Sequence, residues 1–169
     1  MTTIGIRAEV PKDVAAIETV IKSAFRDAPH TDHTEHLILA SLRHAGVLTV
    51  SLVAEMDGNI VGHVAVSPVS ISDGAKGWYG LGPLSVIPAM HKRGIGSQLM
   101  HESLKRLREQ CAGGCVVLGE PAYYQRFGFA NEPGLVLPDV PADYFMALSF
   151  GRTVPCGLVS YHQAFGLST

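Results

Sequence analysis

The stretch from residue 78 to residue 118 places a strand, a glycine-bearing loop, a helix and a second strand in that order. Residues 78–86 are rich in strand-forming side chains, and the helix after the loop continues to about Gln110. Gly113 and Gly114 end this helix, and residues 115–118 form a short apolar strand. A strand, helix and strand in succession imply two parallel strands joined by a right-handed crossover. The chain is therefore predicted to build a sheet covered by helices.

Periodicity elsewhere predicts further helices and strands of the same sheet. Asp57-Gly58 is a strong hairpin turn, so the strands beside it belong to a meander that ends with residues 78–86. The predicted helices run from Pro11 to the stop signal Ala28-Pro29-His30, from 35 to 44, from the loop to Gln110 and from 122 to 127, and the predicted strands are 4–8, 49–56, 60–69, 78–86, 115–118, 144–150 and 158–161. The predicted fold class is mixed α/β.

Glycine and proline interrupt the last strand of the meander. Gly80, Gly82 and Pro83 all lie inside residues 78–86. Because proline has no N–H to donate to a ladder, a β-bulge or a local splay of the sheet is expected here.

Length and composition limit the class of protein. The 169 residues predict a single domain, 1–169, and the 47% hydrophobic content argues against a disordered chain. A net charge of −2 is too balanced for binding driven by nucleic-acid phosphates. The apolar stretches are too short to cross a membrane, and the first residues do not read as a signal peptide. We therefore expect a cytoplasmic protein that binds neither nucleic acid nor membrane.

Neither the cysteines nor the histidines form a convincing metal site. The cysteines are Cys111, Cys115 and Cys156. They cannot all pair within the chain, no second cysteine pair completes a zinc site, and buried free thiols are expected. Three-residue spacing can place imidazoles on one helical face, as in the run His30, His33 and His36. No further ligand cluster accompanies the run, so a solvent-exposed helix start that helps to shape a substrate pocket is the preferred interpretation, and no metal is predicted.

The loop before the long helix has the chemistry of a phosphate site. Gly94 and Gly96 fall at the helix N-terminus, where backbone N–H groups and the helix dipole favour an anion. Glycine lets phosphate oxygens approach the main chain without a Cβ in the way. Lys92 and Arg93 add cations beside the loop. A plain tight turn is the alternative interpretation, but the residue types suit a pyrophosphate.

Two common phosphate-binding patterns do not fit this loop. A nucleotide P-loop needs its lysine after the glycines, whereas Lys92 precedes them. The dinucleotide fingerprint needs a third small residue where Leu99 stands, and the acidic ribose partner about 20 residues later is missing.

A third pattern fits, because an ordered set of segments resembles the GNAT superfamily of N-acetyltransferases. These segments are Gly82-Pro83-Leu84-Ser85-Val86-Ile87-Pro88, the loop 91–96, the run Tyr123-Tyr124-Gln125-Arg126-Phe127-Gly128-Phe129, the opening 6–13 and the strand meander. The resemblance covers about residues 4–130, and the divergent remainder, 131–169, looks like that of a poorly characterised bacterial acetyltransferase subgroup. It implies a GNAT-type acyl-CoA N-acyltransferase fold, with a central, mostly antiparallel sheet, a splayed strand pair and flanking helices.

The resemblance also implies acetyl-CoA as cosubstrate and a set of residues that hold it. Backbone groups of the splayed strand would contact the pantetheine arm, the loop would hold the pyrophosphate, and aromatic side chains would form a wall. These residues are Leu84, Ser85, Val86, His91, Lys92, Arg93, Gly94, Ile95, Gly96, Ser97, Tyr123 and Phe127. His91 departs from the family, which usually has Gln or Arg there, and this leaves the role of His91 open.

By the same resemblance, Tyr124 protonates the departing thiolate of coenzyme A. A tyrosine pKa of about 10 lies above the roughly 8.5 of a thiol, so the phenol is protonated and available at pH 7. The alternative is that Tyr124 only packs against the coenzyme. The attacking amine must be neutral, which for a lysine-like pKa near 10.4 costs roughly 4.6 kcal/mol at pH 7.

Glu120 is the first candidate for the base that removes the amine proton, because it ends the strand 115–118 and lies close to Tyr124 in sequence. Its alternative is a loop or capping carboxylate before Pro121. His63 and Glu55 are weaker candidates, and a buried, hydrogen-bonded side chain is the default for His63.

The leading hypothesis is direct acetyl transfer from acetyl-CoA to the amine of a small molecule or peptide. Direct transfer is favoured because no cysteine has an evident paired base. The first alternative is a non-catalytic acyl-CoA-binding regulatory module, and a nucleotide-binding domain is the second. The acceptor cannot be deduced from the sequence, and association of two copies through the C-terminal strands is left open.

Overall fold

The computed structural model describes residues 3–28 and 31–166. Within these residues, helices and strands alternate much as the periodicity predicts. The helices are α1 (Val14–Phe25), α2 (Glu35–His44), α3 (Ile95–Glu109) and the short α4 (Pro121–Tyr124). The strands are β1 (Ile4–Ala8), β2 (Val50–Met56), β3 (Asn59–Pro68), β4 (Ser70–Ile71), β5 (Trp78–Val86), β6 (Gly114–Leu118), β7 (Leu135–Val136), β8 (Phe145–Ser149) and β9 (Gly157–Ser160).

Six strands form the main sheet in the order β1-β2-β3-β5-β6-β8. Neighbouring strands in it are antiparallel except β5 and β6, which are parallel and joined through α3. The predicted mixed α/β fold, its mostly antiparallel sheet and its crossover are therefore confirmed.

The two parallel strands stay together for only a short distance. β6 pairs with β5 from Trp78 to Gly80, opposite Gly114 to Val116. Beyond that point the rest of β5 stays with β3, and the end of β6 stays with β8. The pairing of β5 with β3 shifts register opposite Ala65, where Gly82 and Pro83 make the predicted bulge. The sheet therefore opens into a gap after Gly80.

Helices cover both faces of the main sheet. α1 and α2 pack on one face, around buried Ile17, Leu39 and Val53. α3 packs on the other, where Ile95 and Leu99 approach so closely that a Cβ at Gly62 would lie 3.1–3.2 Å from their side chains. We call these the α1/α2 face and the α3 face.

A second, three-stranded sheet, β4-β9-β7, was not predicted from the sequence. Its strands are two to four residues long, too short to show a period. It packs over β6 and β8 through Ile71, Leu135 and Val159, against Trp78 and Phe145 of the main sheet. The C-terminal forty residues thus close the sheet beside the gap.

Three local predictions need correction. The first helix is preceded by a 3₁₀ turn at Pro11–Asp13, so α1 itself begins at Val14. The predicted helix 122–127 is α4 followed by a 3₁₀ turn. The cysteines are free, but only Cys115 is buried; Cys111, in the turn after α3, and Cys156, directly before β9, are exposed.

Replacing Gly114 by alanine is expected to destabilise the fold by about 2 kcal/mol, within the range for overpacked cores. Gly114 faces Trp78 in the parallel register, and its added Cβ would overlap the buried indole ring. Urea unfolding measures the change. The matched control is Gly151→Ala, where nothing lies within 4 Å of an added Cβ. Equal stability of the two variants would contradict the packing described here.

Candidate active site

The loop between β5 and α3 adopts the backbone conformation that its glycines suggest. Gly94, the residue before α3, has φ +79°, and Lys92 has φ +64°. These left-handed residues turn the chain so that α3 begins directly beside the open edge of β5. The first N–H groups of a helix have no intrahelical partner, so this end of α3 presents free donors to a ligand.

A groove of about 630 Å³ runs from the edge of β5 across this loop. Most of the predicted cofactor residues line it, and the structure adds Met90 and Arg126. The lining residues are Leu84, Val86, Met90, His91, Lys92, Gly94, Ile95, Gly96, Ser97, Tyr123 and Arg126. The sequence-predicted loop, strand edge and aromatic wall are thus brought together at one site.

Three predicted cofactor residues do not line the groove. The Ser85 side chain is buried on the α1/α2 face, and its backbone is paired opposite His63 of β3. Arg93 is exposed on the loop. Phe127 stands behind Tyr123, with its ring 5.4 Å from the Tyr123 ring and 5.2 Å from that of His101.

His91 fixes the loop to the strand that precedes it. Its Nε2 donates to the backbone carbonyl of Val86 at 2.9 Å. The imidazole therefore anchors the loop against the open edge of β5, which gives His91 a defined structural role.

Arg126 is the groove residue that sequence reasoning missed. Its guanidinium donates to Ser97 Oγ at 2.7 Å and lies 5.0 Å over the Tyr123 ring. It reaches the start of α3 from the turn after α4, so a third cation joins Lys92 and Arg93 around the loop. No local pattern signals this, because the contact spans 29 residues.

Tyr124 is half-buried between two other aromatic rings. Its ring lies 5.0 Å from that of Tyr123 and 6.1 Å from that of Phe129. Gly119 makes room for it, since a Cβ there would lie 2.5 Å from the Tyr124 ring. Burial, with smaller contributions from Tyr123 and Cys115, raises the pKa of the Tyr124 phenol above its usual value. The hydroxyl therefore stays protonated at neutral pH.

Two of the candidate bases occupy different surroundings. Glu120 is exposed directly before α4, and its backbone carbonyl accepts from the N–H groups of Tyr123 and Tyr124. Glu55 is held by Arg7, whose guanidinium donates to it at 2.9 Å. Glu120 is thus linked to the aromatic cluster, and Glu55 belongs to an ion pair beside β1.

A second pocket, of about 360 Å³, opens on the α1/α2 face. It reaches both sides of the gap, Leu81 to Pro83 on β5 and Leu118 at the end of β6. The other lining residues are Phe25, Glu35, Ile38, Leu137, Tyr161 and Phe165. The walls are mainly apolar, and Glu35 supplies the single ionisable carboxylate among these lining residues. Thr31 donates a hydrogen bond to that carboxylate.

The third candidate base, His63, is fully buried in the middle of β3. Its Nε2 lies 2.8 Å from Ser51 Oγ and 3.7 Å from Glu9 Oε1. Ser51 also donates to Glu9, and Arg43 binds that carboxylate with two hydrogen bonds of 3.0 Å. Burial alone raises the pKa of Glu9, but the polar contacts with His63, Arg43 and Ser51 outweigh it and lower the pKa to about 2. Glu9 is therefore ionised at neutral pH.

The histidine run does not converge with other ligands in the part of the chain that is described. Over residues 3–28 and 31–166, no three His, Cys, Asp or Glu side chains are grouped to hold a metal ion. His33 and His36 line a separate surface pocket beside α1, and His30 lies outside the described residues. Among the same residues, none of the helices has both the length and the apolar character of a membrane span.

Comparison with known proteins gives consistent matches. A family model described as "Acetyltransferase (GNAT) family" matches residues 14–129. The uncharacterised N-acetyltransferase YhbS of Escherichia coli K12 is 37% identical over 125 residues, which are 73% of this chain and 72% of that protein.

Two solved structures cover almost all of the chain. A GNAT family acetyltransferase from Brucella melitensis, crystallised with acetyl-CoA, is 47% identical, with a TM-score of 0.87 over 96% of this chain and 98% of the other. YhbS from Escherichia coli, crystallised with CoA, is 32% identical, with a TM-score of 0.85 over 98% and 93%.

Replacing Glu9 by glutamine is expected to flatten the acid dependence of stability. The folded-state pKa of Glu9, about 2, lies below its ordinary value of 4.5, so its contribution is full above pH 4.5 and is lost as the pH falls towards 2. The shift corresponds to about 3 kcal/mol. Urea unfolding at pH 7 and at pH 3 measures it, with the exposed Glu109→Gln as control. An unchanged loss of stability between the two pH values in Glu9→Gln would contradict the buried network.

Proposed function

Because the chain belongs to the GNAT family of acetyltransferases, we propose that it transfers an acetyl group from acetyl-CoA directly to a primary amine. The observation that carries this proposal is the gap between β5 and β6, which has the loop groove on one face of the sheet and a separate pocket on the other. Two substrates that approach from opposite faces can meet there without competing for space. We take residues 1–169 as one catalytic domain that works in the cytoplasm.

Acetyl-CoA fits the groove on the α3 face. Its diphosphate would lie at the N-terminus of α3, where Lys92 and Arg126 add positive charge. Its pantetheine arm would run along Leu84 and Val86, which have no partner strand on the side of the gap. The Brucella relative crystallised with acetyl-CoA and YhbS crystallised with CoA support this assignment. No metal is needed for this chemistry.

Tyr124 is the proposed general acid for the departing thiolate. It lies directly after Tyr123, which lines the groove, and beside the end of β6. Its raised pKa keeps the phenol protonated at neutral pH, so a proton is available when the thiolate leaves the thioester. The phenol would then recover a proton from the nitrogen of the product.

The acceptor amine would occupy the pocket on the α1/α2 face. The apolar walls favour a small molecule, or a peptide end, with a compact hydrophobic body. Glu35 can attract the ammonium form to the pocket, because it is the carboxylate among the lining residues. Glu120, next to the gap on the β6 side, and buried His63 are competing candidates for the group that receives the proton of the amine.

The proposed activity is tested with acetyl-CoA and a panel of primary amines, 2-phenylethylamine, butylamine, putrescine and glycinamide, followed as release of free thiol. Wild type is expected to turn over at least one apolar amine. Tyr124→Phe is expected to lower kcat by about 100-fold with unchanged coenzyme affinity, since a general acid contributes about that much or more.

Tyr144→Phe is the matched control, because the Tyr144 side chain is exposed and lines neither the groove nor the apolar pocket. An undiminished kcat in Tyr124→Phe would remove the assigned role of the phenol. Coenzyme binding by wild type without thiol release on any amine would favour the non-catalytic acyl-CoA-binding module.

Replacing Gly96 by aspartate is expected to weaken coenzyme A binding by about 100-fold or more, measured by calorimetry, because it sets a carboxylate against the diphosphate. A Cβ at Gly96 would also lie 2.6 Å from Tyr123 Oη, so the side chain cannot enter without displacing the aromatic wall. Gly96→Ala separates this steric effect from the charge and should bind with intermediate affinity.

The charge-matched control is Gly151→Asp, in open space away from the groove. Wild-type affinity in Gly96→Asp would show that the diphosphate is held elsewhere.

A further inference from the structure

Four buried polar atoms on one face of the main sheet find no hydrogen-bond partner among the described residues. They are His63 Nδ1, Ser67 Oγ, Ser85 Oγ and Tyr161 Oη. An unpartnered buried polar group costs free energy, and groups of this kind are usually satisfied by ordered water or serve a chemical role. Their position relative to the gap decides between these explanations.

The four atoms surround the bulge of β5. Ser85 is directly opposite His63 in the register of β3 and β5, so their side chains are neighbours on the α1/α2 face. Ser67 is opposite Gly80 on the other side of the bulge, and the Tyr161 ring packs onto Gly80. The bulge itself, with Gly82 and Pro83, lines the acceptor pocket. Tyr161 lines the same pocket, and Ser85 follows Pro83 by two residues along β5, so the group of unpartnered atoms adjoins the pocket in which an acceptor would bind.

The hydrogen bonds behind His63 fix which of its nitrogens carries the proton. Ser51 has one hydroxyl hydrogen and donates it to the ionised Glu9. Ser51 Oγ must then accept from His63, so Nε2 bears the hydrogen of the neutral ring. His63 Nδ1 is consequently an unprotonated acceptor without a partner among the described residues, and Ser85 lies opposite His63 on β5. Burial lowers the pKa of His63, which keeps the ring neutral at pH 7.

We propose that His63 Nδ1 receives the proton of the acceptor amine through Ser85 and a bridging water, while Ser51 and Glu9 orient the ring and stabilise the imidazolium. This inference rests on the proposed acetyl transfer and identifies the group that makes the amine nucleophilic. The arrangement has the logic of a catalytic triad, in which a carboxylate fixes the tautomer of the base. His63 acts through Ser85 and water, without touching the amine.

The step balances in protons and electrons. The ammonium gives one proton to His63, and the lone pair so freed attacks the thioester carbonyl. The C–N bond forms as the C–S bond breaks, and sulfur leaves with the electron pair and takes a proton from Tyr124. The second nitrogen proton restores the Tyr124 phenol. After the amide leaves, His63 returns its proton to water in the emptied pocket.

The charged groups that face His63 determine how the site responds to pH. Glu9, just after β1, favours the imidazolium, and Arg43 of α2 opposes it. Both remain charged throughout the neutral range, Glu9 because its pKa is about 2. A change in the rate of acetyl transfer above pH 7 therefore reflects deprotonation of the amine or of the group that accepts its proton.

Ser85→Ala is the main test, with acetyl-CoA and 2-phenylethylamine as substrates. The change removes an unpartnered hydroxyl, so stability should be unchanged or raised. We expect kcat/KM for the amine to fall about 100-fold at pH 7. The deficit in kcat/KM should shrink as the pH approaches the pKa of the amine, near 10, because bulk solvent then deprotonates the amine. KM for acetyl-CoA should not change. His63→Gln should show the same pattern.

Two further variants distinguish proton transfer through Ser85 to His63, the relay, from other causes of a lower kcat/KM. Ser103→Ala removes another buried serine hydroxyl, on the α3 face, and should leave the pH profile as in wild type. Glu120→Gln tests the competing base. A deficit in Ser85→Ala that is the same at every pH, or a pH-dependent deficit in Glu120→Gln alone, would overturn the assignment of His63 while leaving acetyl transfer intact. A wild type inactive on every amine would remove the proposed function, and the relay with it.

The tautomer can be measured without any acceptor. In ¹⁵N-histidine NMR of the full chain, His63 should carry its hydrogen on Nε2 at pH 7, and Ser51→Ala should lose this preference. A hydrogen on Nδ1 would overturn the proposal whatever the activity, because that nitrogen could then accept no proton.

Discussion

The early separation of β5 from β6 is the constraint on which the rest of this structure depends. Parallel strands normally continue side by side, but here the pairing ends at Gly80 because Gly82 and Pro83 shift β5 out of register with β3. The strand edge beyond the bulge keeps its hydrogen-bonding groups on the side of the gap. An extended ligand can satisfy them in the way that a further strand would. The gap therefore replaces a stretch of sheet by a binding site.

The gap also explains why the two faces of the sheet differ in chemistry. On the α3 face, the N-terminus of α3 lies at the groove with Lys92 and Arg126 around it, which suits an anionic ligand. On the α1/α2 face the second sheet and the helices leave an apolar pocket with one carboxylate, Glu35. In the proposed function, a negatively charged cosubstrate and a positively charged amine would be drawn to opposite sides of β5.

Local signals were enough to predict the elements that hold the coenzyme groove. Helix α2 and strand β5 have the bounds that periodicity and turn residues predict, and the bulge follows from Pro83 alone. Contacts between distant segments could not be read in this way. Arg126 reaches Ser97 across 29 residues, and the strands of the second sheet are too short to show a pattern. The groove was therefore largely predictable, whereas the acceptor side depends on how the C-terminal segments fold back.

The same distinction applies to His63, for which the sequence favoured a satisfied core histidine. The structure satisfies only one of its nitrogens, because strand register brings Ser51 to Nε2 and places Ser85 opposite the ring. Two apolar side chains at positions 63 and 85 would avoid the cost of these unpartnered groups, which is about 1–3 kcal/mol each. The ion pair between Glu9 and Arg43 does not explain why the unpartnered groups are kept. A buried ion pair can be replaced by apolar residues without loss of stability. The cost falls beside the bulge that lines the proposed acceptor pocket, and the unprotonated imidazole nitrogen has no other partner among the described residues. The arrangement is therefore explained by proton transfer better than by stability.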